Sequence, residues 1–368
     1  MDITEPSGYK DFVWAVEIHR LSFEIMGLWP EGDKFETIIQ VWGNMVLVVD
    51  NLRLTLLFII TLMKYVIMLS KRTVILSIIN MMVEDWIVFK SNIERAVMIK
   101  QAQIARVIIV IGYFIMIIGA FGTIISAFFG IQIASVTNRT DQHKTLLFLT
   151  YDFYDTDKSP QFELTFCIHI ISLVTATTVF MSVDNFLVLL VFHICGQLKN
   201  FRCRLVNMTS CKNYNKTLNN IVTSHLRMIR FADNIENTYS LMMLFMLLHF
   251  IVVFCLCGFC FILEMDEVTT KIYISIITLI ILLMNTFLYC GAGELLTEQS
   301  NAVYRAICNL EWYKLESKNA RNIILLIVRT HHPICITAGR IIPLTMSTFC
   351  SVLKTSSGYI TFLLAKHG

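Results

Sequence analysis

The sequence predicts an all-α protein, a polytopic transmembrane helical bundle with six spans. Three observations carry that prediction. The 368-residue chain is 56% hydrophobic and only 15% charged, with a mean hydropathy of +0.65, whereas soluble domains carry about 45–50% apolar and roughly 25% charged residues. Its apolar residues gather into runs of bilayer length, since about 30 Å of hydrocarbon at ~1.5 Å per residue calls for about 20 residues. Its basic residues gather between those runs: of 30 Lys and Arg, all but Arg53, Lys64 and Lys354 lie outside them. So few charges could not cover a water-facing surface, which excludes soluble globular domains, and intrinsic disorder needs the opposite composition. A net charge of +3 leaves no footprint for nucleic acid.

Taken in order, residues 1–44 hold no run long enough to span. Eight acids among the first 37 residues leave no apolar core for a cleavable signal peptide. Phe12, Val16, His19 and Phe23 recur at helical spacing, which predicts a partly amphipathic segment lying on the membrane or on the protein itself. The bundle occupies 45–292. Its first span, 45–69, has Asp50 and Arg53 near one end and Lys64 near the other, where a long basic side chain can snorkel to the interface. Span 107–133 has no charge, 166–192 holds Asp184 and His169, and 239–263 and 272–292 lack Asp, Glu, Lys and Arg. The last unit, 293–368, ends in a span over 341–365 that is interrupted by Lys354 and rich in hydroxyls. On it Thr348, Val352, Thr355, Tyr359 and Phe362 share one helical face. Such a stripe either packs within a bundle or faces water, and periodicity leaves both open.

Orientation follows from the loops. Segments 70–106, 193–238 and 293–340 carry six, seven and six Lys and Arg; segments 1–44, 134–161 and 264–271 and the tail after 365 carry three, three, one and one. The bias of 19 against 8 places the three large basic loops in the cytoplasm, and with six spans both termini lie outside. The sequon Asn138-Arg139-Thr140 then falls in an outer loop, where Asn138 is a glycosylation site. Asn207 and Asn215 head sequons on the inner side.

The eleven cysteines avoid the predicted outer loops, so no extracellular disulfide is expected. Cys255, Cys257 and Cys260 read as small apolar fillers of a span rather than a metal site. His331-His332 lacks an acidic or cysteine companion at ligand spacing and reads as a loop pair. No metal and no cofactor is expected. Metalloprotease, nucleophile-elbow, P-loop and dinucleotide motifs are all missing from the sequence, so the chain is not read as an enzyme. Basic residues do not recur every third position in any span, against a voltage sensor, and no pair of matching interrupted helices suggests an inverted-repeat transporter. Asp184, alone in mid-span, is a functional group or a hydrogen-bonding partner of a neighbouring helix.

The C-terminal third is more specific. The run Tyr289-Cys290, Gly293-Glu294, Glu298-Gln299-Ser300, Ala302-Val303, Ala306 and Trp312-Tyr313 resembles the signature of insect odorant receptors. It continues through Ala320-Arg321, Pro333, Thr337-Ala338-Gly339, Pro343-Leu344, Phe349, Ser351 to Ser356, and Tyr359. Upstream, Val183-Asp184, the stretch His193 to Leu198, Arg230-Phe231-Ala232 and Glu84-Asp85-Trp86 are similar to the same family, so the resemblance covers about 40–365. It implies a divergent, odour-tuned subunit of a ligand-gated, non-selective cation channel in the plasma membrane of olfactory sensory neurons. Such a subunit works in a hetero-tetramer with a co-receptor and binds small volatile molecules among the outer halves of its helices. In the family the cytoplasmic loops and the inner part of the last span form the inter-subunit anchor, and the outer part of the last helix lines the pore.

The resemblance therefore implies a pore lined by Thr348, Val352, Thr355, Tyr359 and Phe362, with Phe362 near a hydrophobic constriction that can gate by dewetting. For the pocket, span direction and side-chain chemistry select Phe121, Ile124, Ile125 and Phe128, then His169, Ser172 and Thr175, then Phe254, Phe261 and Tyr273. A mostly apolar, aromatic wall suits small volatile ligands. The family has seven spans. Here Gly27-Leu28-Trp29-Pro30 is followed after nine residues by Gln40 to Asn44, which already resembles the approach to the family's second span. The first span is thus expected to be absent, either omitted from the gene model or lost in a true six-span variant, and the cytoplasmic arrangement favours omission. Two competing functions are a G-protein-coupled-type chemoreceptor, which would carry an acidic-Arg-Tyr triplet that this sequence lacks, and a truncated non-conducting paralogue.

Overall fold

The computed structural model describes residues 45–88, 91–128, 159–208, 214–263, 270–314 and 316–367. Among these the helices are α1 (Met45–Ser70), α2 (Arg72–Ile87), α3 (Asn92–Phe128), α4 (Gln161–Asn207), α5 (Tyr214–Leu263), α6 (Thr270–Cys308), α7 (Ser317–Thr330) and α8 (Met346–His367). A 3-10 turn, Trp312–Lys314, precedes α7, and two short strands, β1 (Thr337–Ala338) and β2 (Ile342–Pro343), precede α8. Residues 1–44 and Asn138 lie outside the described residues.

Long helices follow from apolar sequence without breakers. Of the prolines after residue 45, Pro160 stands at the N-cap of α4, and Pro333 and Pro343 fall between α7 and α8. In hydrocarbon every backbone group must be satisfied within the segment, which a helix does. Four helices are long and apolar enough to cross a membrane, and α1 passes the same test when taken together with α2, from which it is bent by 70°. The sixth expected span is α8, whose 22 residues reach about 33 Å.

Two sequence expectations change. The basic segments, expected as loops, are largely helical: α4, α5 and α6 run for 47, 50 and 39 residues, and α2 with the first turns of α3 fills much of 70–106. Since about 20 residues cross a bilayer, each long helix projects well beyond it. The cause is a second apolar stripe at helical spacing: Leu198, Phe201 and Leu205 of α4 join Leu218, Ile221, Met228, Phe231 and Ile235 of α5 in one buried core. The last span starts at Met346, not at 341, because Ile342–Pro343 pairs antiparallel with Thr337–Ala338. That hairpin turns through Gly339 and Arg340, both at positive φ, and a Cβ at Gly339 would press on Leu244 of α5.

Packing is uneven. None of the most apolar stretch of α3 is buried, against half of that of α5. The main core lies toward the basic end of the bundle, and a small separate cluster joins Leu173, Ile124 and Phe166 toward the other end.

Candidate ligand pocket and pore helix

The start of α8 is fixed by capping and by the hairpin. Thr345 Oγ1 accepts from the Thr348 N–H at 3.2 Å, and the Glu294 carboxylate accepts from the Met346 N–H at 3.2 Å. Both satisfy N–H groups left unpaired by the first turn, and the carboxylate also complements the helix dipole. The hairpin hangs from α5: the Glu236 carboxylate accepts from the Thr337 N–H at 3.0 Å and from the Thr337 hydroxyl, and Ser240 Oγ accepts from the Arg340 N–H at 2.7 Å. Two glycines then let α8 and its approach lie close. A Cβ at Gly293 of α6 would collide with the Leu344 carbonyl, and one at Gly258 of α5 would collide with the Ile360 side chain. Phe287 of α6 meets Phe349 edge-on at 5.8 Å.

This docking decides which face of α8 is left open. Ser356 is fully buried; Ser347, Ser351, Lys354, Thr355, Gly358, Tyr359 and Thr361 are exposed. Of the expected pore stripe, Thr355 and Tyr359 lie on the open face, Thr348 and Val352 are half-buried at its margin, and the Phe362 side chain lies outside those described. The Thr348 hydroxyl donates to the Pro343 carbonyl at 2.7 Å, so it is occupied in holding the helix start.

The expected pocket residues divide. Ile124 packs on Leu173, and His169, one turn before Leu173, is buried. Phe254 is half-buried with its ring 5.6 Å from that of Phe250. Phe121, Ile125, Ser172 and Thr175 point to the protomer surface. The side chains of Phe128, Phe261 and Tyr273 lie outside those described. The structure thus brings Ile124 and His169 to the same end of the α3–α4 pair and leaves four of the others outward.

Sequence reasoning missed a charged centre. Lys64 does not snorkel: its side chain is fully buried, with Nζ donating to both Asp184 oxygens at 2.7 and 2.8 Å. The ammonium also lies 3.4 Å from the Phe180 ring centre and 3.5 Å from Tyr289 Oη. Tyr239 Oη donates to the Val183 carbonyl at 3.1 Å. Four helices, α1, α4, α5 and α6, meet there. A charge in hydrocarbon persists only if paired and hydrogen-bonded, and this pair has both. The signal was present: Lys64 lies 19 residues past Met45 and Asp184 lies 18 past Phe166, so two spans read in the same direction put base and acid at one depth. Nearer the basic end, Arg227 of α5 donates to Asp85 and Glu84, both at 2.9 Å, and His193 Nε2 lies 3.1 Å from Asp85. Among the described residues no group of three or more His, Cys, Asp and Glu could hold a metal ion.

The family model described as 7tm odorant receptor matches residues 44–357. Among relatives, Odorant receptor 10 of Aedes albopictus is 21% identical over 57% of this chain and 57% of its own length. Odorant receptor 22c of Drosophila melanogaster is 27% identical over 39% of this chain and 35% of its own length, and odorant receptor Or2 of Anopheles gambiae is 29% identical over 38% and 36%. The chain thus spans from about a third to just over half of the length of these relatives. Among solved structures, the insect olfactory receptor OR5 from Machilis hrabei in complex with eugenol superposes with a TM-score of 0.72 at 17% identity, covering 97% of this chain and 88% of that one. At that identity the likeness is one of fold.

Proposed function

Because this chain belongs to the insect odorant receptor family, a family of receptors and not of enzymes, we propose that this multi-pass membrane protein is an odour-tuned subunit of a ligand-gated, non-selective cation channel. It works with a co-receptor subunit in a hetero-tetramer at the plasma membrane of olfactory sensory neurons, with its large basic segments in the cytoplasm. The observation that carries the reading is the open polar face of α8, where Thr355 and Tyr359 stand exposed on a helix otherwise docked against α5 and α6. A hydroxyl-bearing face left open inside a membrane bundle is suited to water and ions when several copies surround an axis. A pore stripe through Thr355 and Tyr359 turns Lys354 about 100° away around the helix, off the path of a cation. Thr348, Val352 and Phe362 complete the stripe.

The ligand site lies at the less packed end, around Ile124, His169 and Phe254, with Phe121, Ile125, Phe128, Ser172, Thr175, Phe261 and Tyr273 as further contacts once the bundle closes on a ligand. An apolar, aromatic wall with one buried imidazole suits small volatile molecules carrying few polar groups; the OR5 structure was solved in complex with eugenol. The test is current in cells expressing this chain with the co-receptor. Volatile-evoked cation current that vanishes when either subunit is omitted is the expected result. Confirmed surface delivery with no current across a broad volatile panel would overturn the reading in favour of a non-conducting paralogue.

A further inference from the structure

The helix α2 has two faces of opposite character, and only one is accounted for. Its polar side is pinned to α5: Arg227 holds Glu84, Asp85 and the Met81 carbonyl, each at 2.9 Å. Its other side, Leu76, Ile79, Val83, Trp86 and Ile87, is exposed and apolar. Between that side and α4 lies an open groove of about 350 Å³ lined by Ile79, Met82, Val83, Trp86, Phe186 and Leu189, with Ile87 at its end.

The depth of this groove can be read from contacts. At the start of α2, Lys71 Nζ donates to Asn237 of α5 at 3.3 Å, two residues from Tyr239, where the apolar span of α5 begins. At its other end, Asp85 meets His193, the first residue past the apolar run 166–192 of α4. The start of α2 thus lies at the level where α5 changes from charged to apolar, and its end at the level where α4 changes from apolar to charged; its 70° bend from α1 turns it toward the membrane plane. The exposed side of α1 is apolar as well, with Leu62, Val66 and Leu69 facing outward. Trp86 stands at the level where indoles anchor to the membrane–water boundary, and Arg72 is exposed at the start of α2, where a guanidinium can meet a lipid phosphate.

We infer that α2 is an interfacial amphipathic helix and that the α2–α4 groove holds an acyl chain of a phospholipid from the leaflet at the basic end. The exposed surface of α2 divides into an apolar stripe, Leu76, Ile79, Val83 and Trp86, and a polar one, Thr73, Ser77, Asn80 and Glu84; such a helix lies with the apolar stripe in the acyl boundary, and a groove opening on that stripe fills from the same leaflet. The inference rests on the membrane level of α2 and not on channel activity, so the two fail separately.

The experiment uses the full chain reconstituted in vesicles of phosphatidylcholine with a minority of phosphatidylserine, doped with phosphatidylcholine carrying a mid-chain diazirine, then irradiated and mapped by peptide mass spectrometry. Labelling is expected to concentrate on 79–87 and 186–189, and to fall several-fold there in Val83→Trp, which fills the groove, while the lipid-facing stretch 114–121 of α3 stays labelled. Leu189→Phe, a smaller change made on α4, gives the same loss if Val83→Trp does not fold, as judged by labelling of α3. Groove labelling no higher than that of the exposed apolar residues Ile324, Leu325 and Val328 on α7, or labelling unmoved by either filling variant, overturns the proposal. So does cross-linking of the groove to residues 1–44 or to a second copy in place of lipid.

Discussion

The two halves of α4 share a helix and an apolar composition but not an environment. From 161 to 180 only Thr165, His169 and Leu173 are buried, one side chain per turn. From 181 to 206 burial covers most of the helix, including Leu187, Leu190, Val191, Ile194, Leu198, Phe201 and Leu205. The second half is locked by packing and by the Lys64–Asp184 pair; the first touches its neighbours along a single stripe. Local stability scales with buried contacts, and binding regions come from the weakly packed end. A bundle held tightly at one end and loosely at the other can admit a ligand without unfolding.

The largest break in that comparison is expected at the ion pair. Asp184→Leu leaves the Lys64 ammonium buried and unpaired, a cost of about 3–5 kcal/mol, and surface delivery should be lost. Replacing both partners, Lys64→Met with Asp184→Leu, should restore most of it, because an apolar pair of similar volume removes the stranded charge. Surface labelling of an extracellular tag measures both. A second break is Gly293→Ala, which drives a Cβ into the Leu344 carbonyl. Overpacking of that kind costs about 1–3 kcal/mol, read as a lower melting temperature of the purified protein.

A smaller effect is expected from His225 on the extension of α5, stacked on Phe201 at 5.5 Å. Burial, and then the charge of Arg329, push its pKa from 6.5 down to about 4. The unfolded chain thus takes up this proton at a higher pH than the native one. The contribution of neutral His225 is complete above pH 6.5 and drains away as pH falls toward 4. Melting temperature measured across that window should slope downward with acid, and His225→Phe should flatten the slope. Least of all, Phe121→Ala on the open face of α3 should move stability by no more than about 0.5 kcal/mol.

How much of this was legible in the sequence depends on what fixes each feature. The spans were readable because hydrocarbon thickness sets their length. Helical period put Thr355 and Tyr359 on one face of α8, but whether that face is packed or open is decided by the docking of α8 against α5 and α6. The extensions of α4 and α5 were not. Charges such as Lys199 and Arg202 interrupt their apolar stripe, which makes sense only once the two helices face each other. The pairing of Lys64 with Asp184 is legible only as matched depth, a signal obscured by the ability of a lysine near a span end to snorkel. The pocket was the least legible. Whether Ile124 or Ile125 points inward is a question of how far α3 is rotated, and that rotation is set by contacts with α4 that one sequence does not display.

On the proposed reading the loosely packed half of α4 recognises ligand and the tightly packed half carries stability. This division is tested most directly by the concentration dependence of volatile-evoked current for His169→Leu and Leu187→Ala, each co-expressed with the co-receptor and normalised to surface delivery. The account predicts that His169→Leu keeps surface delivery but shifts the half-maximal concentration, by about tenfold for the loss of one buried hydrogen bond of roughly 1.4 kcal/mol. It predicts that Leu187→Ala lowers delivery and leaves the half-maximal concentration in place. Equal shifts from both substitutions, or a shift from Leu187→Ala alone, would contradict it.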